Sequence, residues 1–297
     1  MHLIEGLHLP ISFSNKLAAA FATSQLCVGI DPHESLLIEA GLEISPVGLE
    51  TFSRTLLEQA VGRAKIVKPQ VSFFERFGAA GFQVLEKLCS EATEVGMLVI
   101  ADAKRGDIGT TMAAYGAAWL GQSAPFLVDA LTVSPYLGFD SLHEIAALAT
   151  ERSKAIFVLC ATSNVEAYKL QTARVSSQSL AASIWQDVEK LNQVISASAN
   201  GFGNIGTVIG ATVDFAKLGL PLQDSHLGSN EGPAVSTPIL APGFGAQGAK
   251  LSQAGDIFGR YAPQTIFSAS RSLLETGLTN AGCAIDAANA ELGSLHD

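Results

Sequence analysis

The chain has 297 residues, of which 48% are hydrophobic and 15% charged, so it carries enough apolar material for a large core and is not a disordered protein. Its formal net charge of -10 argues against a nucleic-acid or anionic-membrane partner, because both favour basic surfaces. No apolar run approaches the ~18 residues of a membrane span, and we expect no secretory signal peptide at the N-terminus.

The four cysteines favour a reducing compartment. Cys27, Cys89, Cys160 and Cys283 include no pair with C-x-x-C spacing, and the first and third lie in apolar runs. We therefore expect free, mostly buried thiols and a cytoplasmic protein. The six histidines do not cluster, so the sequence predicts no His-rich metal site.

Eight short apolar runs alternate along the chain with longer amphipathic segments. The runs are LCVGIDPH (26–33), AKIVKPQ (64–70), LVIADAKRGD (98–107), FLVDALTVSP (126–135), AIFVLCATSN (155–164), GTVIGAT (206–212), PILAPGFG (238–245) and TIFSASRS (265–272). Helical spacing is found between them, for example over 81–96 and 175–195. Eight strand–helix units predict a parallel α/β fold, the (β/α)8 TIM barrel. A doubly wound sheet is the alternative, but no G-x-G-x-x-G follows the first strand.

The connections between these units predict one continuous domain. No linker divides the chain, so we expect residues 1–297 to form a single (β/α)8 barrel domain. The connection 164–205 is long enough for an extra helix. Residues 219–237 are polar and rich in Gly and Pro, which predicts a loop.

Charged residues follow the first three predicted strands. Asp31 ends the first run, Lys68 the second, and Asp102 and Lys104 the third. Active sites of parallel barrels lie at the C-terminal ends of the strands. Asp102 and Lys104 are two positions apart, so we expect their side chains to leave the strand on the same side. Asp107 lies beyond the turn and needs a loop or another chain to bring it to the same place.

These charges have two interpretations. One is an ion-pair network that closes the mouth of the barrel, and the other is an active site. Burial of a charged side chain costs on the order of several kcal/mol per ion. A protein that buries four of them together, Lys68, Asp102, Lys104 and Asp107, is expected to have a functional reason for the cluster.

The last two predicted strands run into a candidate phosphate site. Gly243, Gly245 and Gly248 in APGFGAQGA allow backbone N–H groups to approach an anion closely. Arg271 in SASRSLL supplies a positive charge and a bidentate fork, next to the start of the following helix. A glycine-rich loop alone is weak evidence, but an arginine on the neighbouring strand strengthens it.

Three further segments carry polar or aromatic side chains near strand ends. The ATSN ending of the fifth strand suits a polar ring, although Ser163 or Asn164 could instead cap a helix. His33 is interpreted as a solvated or hydrogen-bonded loop residue. Phe73 and Phe74 are predicted to pack under the helix that follows them.

Seven motifs occur in one order at these strand ends: GIDPH, VKPQVSFFERFG, IADAKRGDIGTT, VSPYLGFDSL, ATSN, APGFGAQG and SASRS. Their order resembles that of the orotidine 5′-phosphate decarboxylase family, whose Asp-x-Lys-x-x-Asp motif is similar to DAKRGD. The resemblance covers nearly the whole chain. The chain's length, together with its KPQVSFFE and TSN segments, resembles the longer bacterial branch of the family. One departure is Ser270, which stands where many relatives have glycine and can still donate its backbone N–H.

The resemblance implies decarboxylation of orotidine 5′-monophosphate to uridine 5′-monophosphate, the last step of de novo pyrimidine synthesis, without a metal or organic cofactor. It implies that Asp102 sits beside the departing carboxylate and that Lys104 stabilises and protonates the carbanion at C6. Lys68 would hold the charge network and contact the ribose. Asp107 and Thr111 would reach into the neighbouring subunit's site, so the active unit would be a homodimer.

The same resemblance implies the binding residues of the nucleotide. Asp31 would bind a ribose hydroxyl and Ser163 the pyrimidine. Gln247 and Arg271 would bind the phosphate.

Two other functions remain open from the sequence. Metal-dependent barrels that handle keto-sugar phosphates also carry Asp-x-Lys-x-x-Asp, but they place a glutamate on the second strand as a Mg²⁺ ligand. Here that strand ends in Lys68, which repels Mg²⁺. The second alternative is a nucleotide sensor that has lost catalysis. The absence of one of the charged residues would favour it, but Lys68, Asp102, Lys104 and Asp107 are all present.

Overall fold

The structure is a computed structural model, in which residues 11–195, 201–223, 235–246 and 248–293 are described. Within them, eight parallel strands close into a barrel in which each strand pairs with its neighbours in chain order and the last pairs with the first. The strands are β1 Leu26–Ile30, β2 Ile66–Pro69, β3 Leu98–Arg105, β4 Ala130–Val133, β5 Ala155–Ala161, β6 Ile205–Ile209, β7 Ile239–Pro242 and β8 Thr265–Ala269. The predicted TIM barrel is therefore confirmed.

Helices pack around the outside of this barrel. They are α1 Phe13–Phe21, α2 Glu34–Glu39, α3 Pro46–Ala60, α4 Val71–Glu75, α5 Gly78–Glu94, α6 Gly109–Leu120, α7 His143–Glu151, α8 Tyr168–Gln171, α9 Leu180–Ile195, α10 Phe215–Leu218, α11 Ala254–Phe258 and α12 Ala281–Gly293. Short 3₁₀ helices span Phe139–Leu142, Val165–Ala167, Pro221–Gln223, Leu251–Gln253, Gly259–Gln264, Arg271–Leu274 and Leu278–Asn280. None of the described helices is long and apolar enough to cross a membrane.

The start of α3 shows how local sequence defines a helix end. Ser45 is the N-cap, and its side chain accepts a hydrogen bond from the backbone N–H of Gly48. Pro46 follows at the first helical position, where the missing N–H has no intrahelical partner to lose.

The N-terminal end of the barrel is closed by α1. Phe13 and Leu17 of α1 are fully buried, and they pack in one apolar cluster with inward-facing strand residues such as Ile66, Leu98 and Phe157. The rings of Phe13 and Phe157 meet edge to face, with centroids 6.1 Å apart. This end of the barrel is therefore filled by side chains, which leaves the opposite end for a ligand.

The structure corrects one predicted helix boundary. Helical spacing predicts a helix from residue 175, whereas α9 begins at Leu180. The intervening residues form an antiparallel hairpin of Arg174–Val175 with Gln178–Ser179, in which Ser176 has a positive φ of 56°. Together with α8, this hairpin occupies the long connection after β5, where an extra helix is expected.

The polar segment before β7 is only partly described. Residues 219–237 are predicted as a loop, and they contain the 3₁₀ helix Pro221–Gln223 and the strand Val235–Ser236. The latter pairs in parallel with Gly201–Phe202. Residues 224–234 lie outside the described residues.

Candidate active site

A cavity of about 320 Å³ opens at the C-terminal end of the barrel. Its wall is formed by residues at and just after the C-terminal ends of β1, β2, β7 and β8, so it lies where the fold predicts an active site. The lining residues are Asp31, His33, Lys68, Gln70, Ser72, Phe73, Pro242, Gly243, Phe244, Ala246, Ser268, Ser270 and Arg271.

A chain of alternating charges lies beside this cavity. The Lys68 ammonium is 3.1 Å from Asp102 Oδ2 and 3.7 Å from Asp31 Oδ1. The Lys104 ammonium is 2.6 Å from Asp102 Oδ1 and 3.4 Å from the amide oxygen of Gln70. Asp102 is thus held between two lysines, of which Lys68 is buried while the Lys104 side chain is 44% exposed. The structure brings four of the predicted site residues together.

The neighbours of these groups keep them charged. Burial acts to raise the pKa of Asp102, but the nearby Lys68 and Lys104 outweigh it and lower the pKa to about 2. Burial acts to lower the pKa of Lys68, but the carboxylates of Asp31 and Asp102 outweigh it and raise the pKa above its ordinary value. At neutral pH the site therefore holds oriented ammonium and carboxylate groups.

An irregular stretch of β3 sets the position of Lys104. The register between β3 and β4 shifts after Ala101, and Lys104 adopts a positive φ of 50°. Asp102 and Lys104 do meet, as predicted, but through a bulge rather than through regular strand alternation. Thr132 on β4 hydrogen-bonds to both residues.

The glycine-rich loop after β7 packs against the turn after β8. Gly243 and Gly245 have φ values of 115° and 76°, which favour glycine. A Cβ on Gly245 would lie 2.2 Å from Ser272 Oγ, so only glycine fits this contact. Arg271 is exposed at the cavity wall, as a phosphate ligand would be. Gln247, the second predicted phosphate ligand, lies outside the described residues.

Asp107 and Thr111 do not join the charge cluster of their own chain. Asp107 Oδ1 accepts a hydrogen bond from the backbone N–H of Ile108 at 2.8 Å, and within the described ranges the carboxylate forms no ion pair. Thr111 lies on α6 and is exposed. Within the described residues, neither side chain forms a hydrogen bond or an ion pair with Asp31, Lys68, Asp102 or Lys104.

Ser163 lies in the turn that follows β5 and is exposed. Its backbone nitrogen would be 3.3 Å from a Cβ on Gly210, so the turn packs closely against the end of β6. Asn164 precedes a 3₁₀ helix, but its side chain hydrogen-bonds to Thr162 and Glu166 instead of capping that helix. The capping interpretation is therefore wrong for Asn164.

Several residues of the site are not among those singled out from the sequence. Gln70 contacts Lys104, and Thr132 bridges Asp102 and Lys104. A polar residue that interrupts the apolar end of a predicted strand is the signal that would have identified Thr132. Phe73 lines the cavity, and its ring centroid is 4.2 Å from that of His33, whereas Phe74 is buried in the core as predicted.

Among the residues that the structure describes, no three or more His, Cys, Asp or Glu side chains are placed to hold a metal ion. The cations near the cavity are instead the side chains of Lys68, Lys104 and Arg271.

Sequence comparison identifies relatives over most of the chain. Residues 24–276 match the family model described as "Orotidine 5′-phosphate decarboxylase / HUMPS family". The orotidine 5′-phosphate decarboxylase of Corynebacterium glutamicum (strain R) is 45% identical over 269 residues, which cover 90% of this chain and 92% of that protein. The enzyme of the same name from Streptomyces coelicolor is 44% identical and covers 85% of each chain.

Solved structures give the same result. A crystal structure assigned as an orotidine 5′-phosphate decarboxylase from Streptomyces avermitilis superposes with a TM-score of 0.86 at 38% identity, covering 98% of this chain and 99% of that one. The OMP decarboxylase of Leishmania donovani superposes with a TM-score of 0.73 at 28% identity, covering 96% and 98%.

Proposed function

This chain belongs to the orotidine 5′-phosphate decarboxylase / HUMPS family, and from that premise we propose that it decarboxylates orotidine 5′-monophosphate to uridine 5′-monophosphate in de novo pyrimidine biosynthesis. It is accordingly an enzyme, a carboxy-lyase. The observation that carries the proposal is the Asp102 carboxylate held between the ammonium groups of Lys68 and Lys104 beside a cavity at the C-terminal end of the barrel.

The cavity wall offers groups for the ribose and the phosphate of the nucleotide. Asp31 and Lys68 lie in its wall and bind the ribose hydroxyls in this proposal. Arg271 binds the phosphate, together with Gln247 and the backbone of the glycine-rich loop. Ser163, at the end of β5, binds the pyrimidine. The two ends of the substrate are thus held apart, with its carboxylate directed towards Asp102 and Lys104.

The reaction then needs a cation where negative charge develops. The bond between C6 and the carboxylate breaks, carbon dioxide leaves, and the electron pair stays on C6. Lys104 stabilises this carbanion and transfers a proton from its ammonium to C6, and the neutral amine regains a proton from solvent. Because Asp102 and Gln70 already orient the Lys104 ammonium, it stabilises the negative charge on C6 without any reorganisation of the side chain.

The proposed reaction uses no metal or organic cofactor. Support comes from the chemistry of the second strand, which ends in Lys68 where the metal-dependent sugar-phosphate barrels place a carboxylate ligand. An ammonium 3.1 Å from Asp102 takes the place that a divalent cation would need beside that carboxylate. The charge balance of the site is therefore met by lysines.

We also propose that the active unit is a homodimer with shared sites. In the described residues, Asp107 and Thr111 form no bond to their own cluster, so in this proposal they act on the site of a second copy of the chain. Ile108, next to Asp107, is 60% exposed. Tyr136 and Leu137, which follow the Ser134 backbone that contacts Arg105 and Gly106, are 75% and 53% exposed. Such a group of exposed apolar residues is typical of an interface.

The proposal also covers the domain organisation of the chain and its cellular compartment. We propose that the chain functions as a single barrel domain in the cytoplasm. The thiols of Cys27, Cys89 and Cys160 are free and buried, and burial raises the pKa of each to about 12. These protonated thiols are compatible with a reducing compartment.

The direct test is to mix the purified protein with orotidine 5′-monophosphate in excess EDTA and to follow the loss of ultraviolet absorbance, with uridine 5′-monophosphate identified as the product. Rapid turnover that is insensitive to EDTA is expected. Absence of turnover in folded protein would contradict the proposal, and activity on a keto-sugar phosphate with Mg²⁺ would then identify the metal-dependent alternative.

A further inference from the structure

The register shift between β3 and β4 lies at the charged cluster itself. Ala101 pairs with Leu131 and Arg105 pairs with Val133, so three residues of β3 face one residue of β4. That single residue is Thr132. Backbone groups inside such a bulge lose their regular strand partners and need others.

The Thr132 side chain supplies the missing partner. Its hydroxyl oxygen accepts the backbone N–H of Lys104 at 2.9 Å, and its O–H donates to Asp102 Oδ1 at 2.9 Å. The same hydroxyl therefore acts as acceptor towards Lys104 and as donor towards Asp102. Thr132 is only 1% exposed, so water does not compete for either bond.

Both bonds fix features on which the proposed chemistry depends. The first holds the backbone of Lys104 in its left-handed conformation, which a residue with a side chain adopts only where its surroundings stabilise it. The second prevents the Asp102 carboxylate from rotating, and that carboxylate holds the Lys104 ammonium 2.6 Å away. A displacement of this ammonium by about 1 Å is enough to reduce turnover strongly.

We propose that Thr132 is a positioning residue that links β4 to the bulge of β3 and aligns Asp102 and Lys104 for decarboxylation. The inference rests on the proposed function, since it concerns the same site. Thr132 does not touch the substrate in this account; it acts through the two residues that do. The hydrogen bond from Thr132 also contributes to the low pKa of Asp102.

The chain offers a closely matched control for the experiment. Thr207 on β6 is also fully buried, but its hydroxyl makes no hydrogen bond within the described residues. Thr132→Val and Thr207→Val therefore make the same isosteric change, and only the first breaks hydrogen bonds. Thr132→Ser keeps the hydroxyl, and Thr132→Ala removes it without placing a methyl group against Asp102.

The measurements are kcat with orotidine 5′-monophosphate, the Kd for uridine 5′-monophosphate by calorimetry, and urea unfolding of each variant. We expect Thr132→Val to lower kcat by roughly 10- to 100-fold while the product Kd changes by less than about twofold, because a hydrogen bond to a charged group is lost but the binding groups remain. Thr132→Ser restores most of kcat, and Thr207→Val keeps it. If Thr132→Val does not fold, Thr132→Ala gives the same comparison.

Three outcomes would overturn the inference: a Thr132→Val enzyme with wild-type kcat, a loss of kcat matched by an equal loss of product affinity, or an equal loss in Thr207→Val. The wild-type assay separates this result from failure of the proposed function. If the wild-type protein does not turn over orotidine 5′-monophosphate, the function itself is wrong; if it does, only the role of Thr132 is at issue.

Discussion

The two ends of the barrel use the same pair of residue types for different purposes. At the N-terminal end, Asp129 Oδ1 is 2.5 Å from the Lys16 ammonium and its Oδ2 accepts the backbone N–H of Val99 at 2.9 Å. That carboxylate ties α1 to β3 and the start of β4. At the C-terminal end, Asp102 contacts two lysines beside an open cavity.

The difference lies in what surrounds each carboxylate. Around Asp129, the apolar cluster of α1 and the inner strand residues fills the barrel. Around Asp102, one lysine is buried and the other is half-exposed and contacts Gln70 of the cavity wall, so the second cation is accessible to a substrate. A buried ion pair is therefore structural where packing fills the space, and it becomes a candidate for catalysis where a cavity leaves one partner accessible.

The largest effect that this comparison predicts is on turnover. Asp102→Asn keeps the shape of the side chain but removes the charge that orients Lys104, so kcat should fall by at least roughly 10³-fold. Steady-state assays with orotidine 5′-monophosphate measure it, and circular dichroism checks that the fold is intact. A folded Asp102→Asn protein with wild-type kcat would show that the two ends do not differ as proposed.

The second prediction concerns whether the C-terminal site includes residues from a second copy of the chain. Asp107→Ala and Lys104→Ala proteins are each expected to be nearly inactive. In a mixed dimer, one of the two sites receives intact Asp107 and intact Lys104, so activity should recover to about half of wild type if sites are shared. The measurement uses heterodimers purified with two different affinity tags. No recovery in these heterodimers would argue that Asp107 acts elsewhere.

A smaller effect, on stability alone, is predicted at the N-terminal end. Asp129→Asn removes the charge opposite Lys16 and should lower the free energy of unfolding by about 2 kcal/mol, since Asp129 is buried but its partner Lys16 is 36% exposed and partly screened by solvent. The kcat of the folded protein should stay unchanged. Urea unfolding and the decarboxylation assay on one sample measure both. A fall in kcat comparable to that of Asp102→Asn would remove the distinction between the two ends.

The smallest effect is a difference in acid stability. The pKa of Asp102 is lowered to about 2 in the folded protein, against 3.8 for an unperturbed aspartate. The folded state therefore binds this proton less tightly than the unfolded state, so the contribution is complete above about pH 5 and is lost as pH falls through 4 towards 2. Its size is about 2 kcal/mol. Between pH 5 and pH 2.5, wild type should lose about 1.5 kcal/mol more stability than Asp102→Asn, since part of the contribution remains until the pH falls below the folded pKa. Parallel curves from urea unfolding would contradict the low pKa.

Much of this comparison was accessible from sequence, because strand patterning and strand-end chemistry are local. The runs at 26–33 and 98–107 contain β1 and β3, and the charges that end them meet at the cavity. By contrast, the sequence contains little sign of the ion pair between Lys16 and Asp129. It joins residues 113 positions apart, and only the packing of α1 across the barrel end brings them together.

The bulge at Lys104 was not predictable for a similar reason. A positive φ at a residue other than glycine is unfavourable locally, so it is determined by tertiary contacts such as the Thr132 hydroxyl. The start of α9 was missed because helical spacing continues back into residues that pair as a hairpin. The proposed sharing of Asp107 and Thr111 between subunits involves a second chain, which periodicity in one chain does not describe.

The central claim is that the accessible lysine of the C-terminal pair performs the chemistry, and the turnover of Lys104→Ala tests it most directly. The variant is mixed with orotidine 5′-monophosphate in excess EDTA, and binding of uridine 5′-monophosphate is measured on the same sample to show that the site is intact. We predict bound product and a kcat reduced by at least roughly 10³-fold. A Lys104→Ala protein that binds the product and turns over at the wild-type rate would contradict the account.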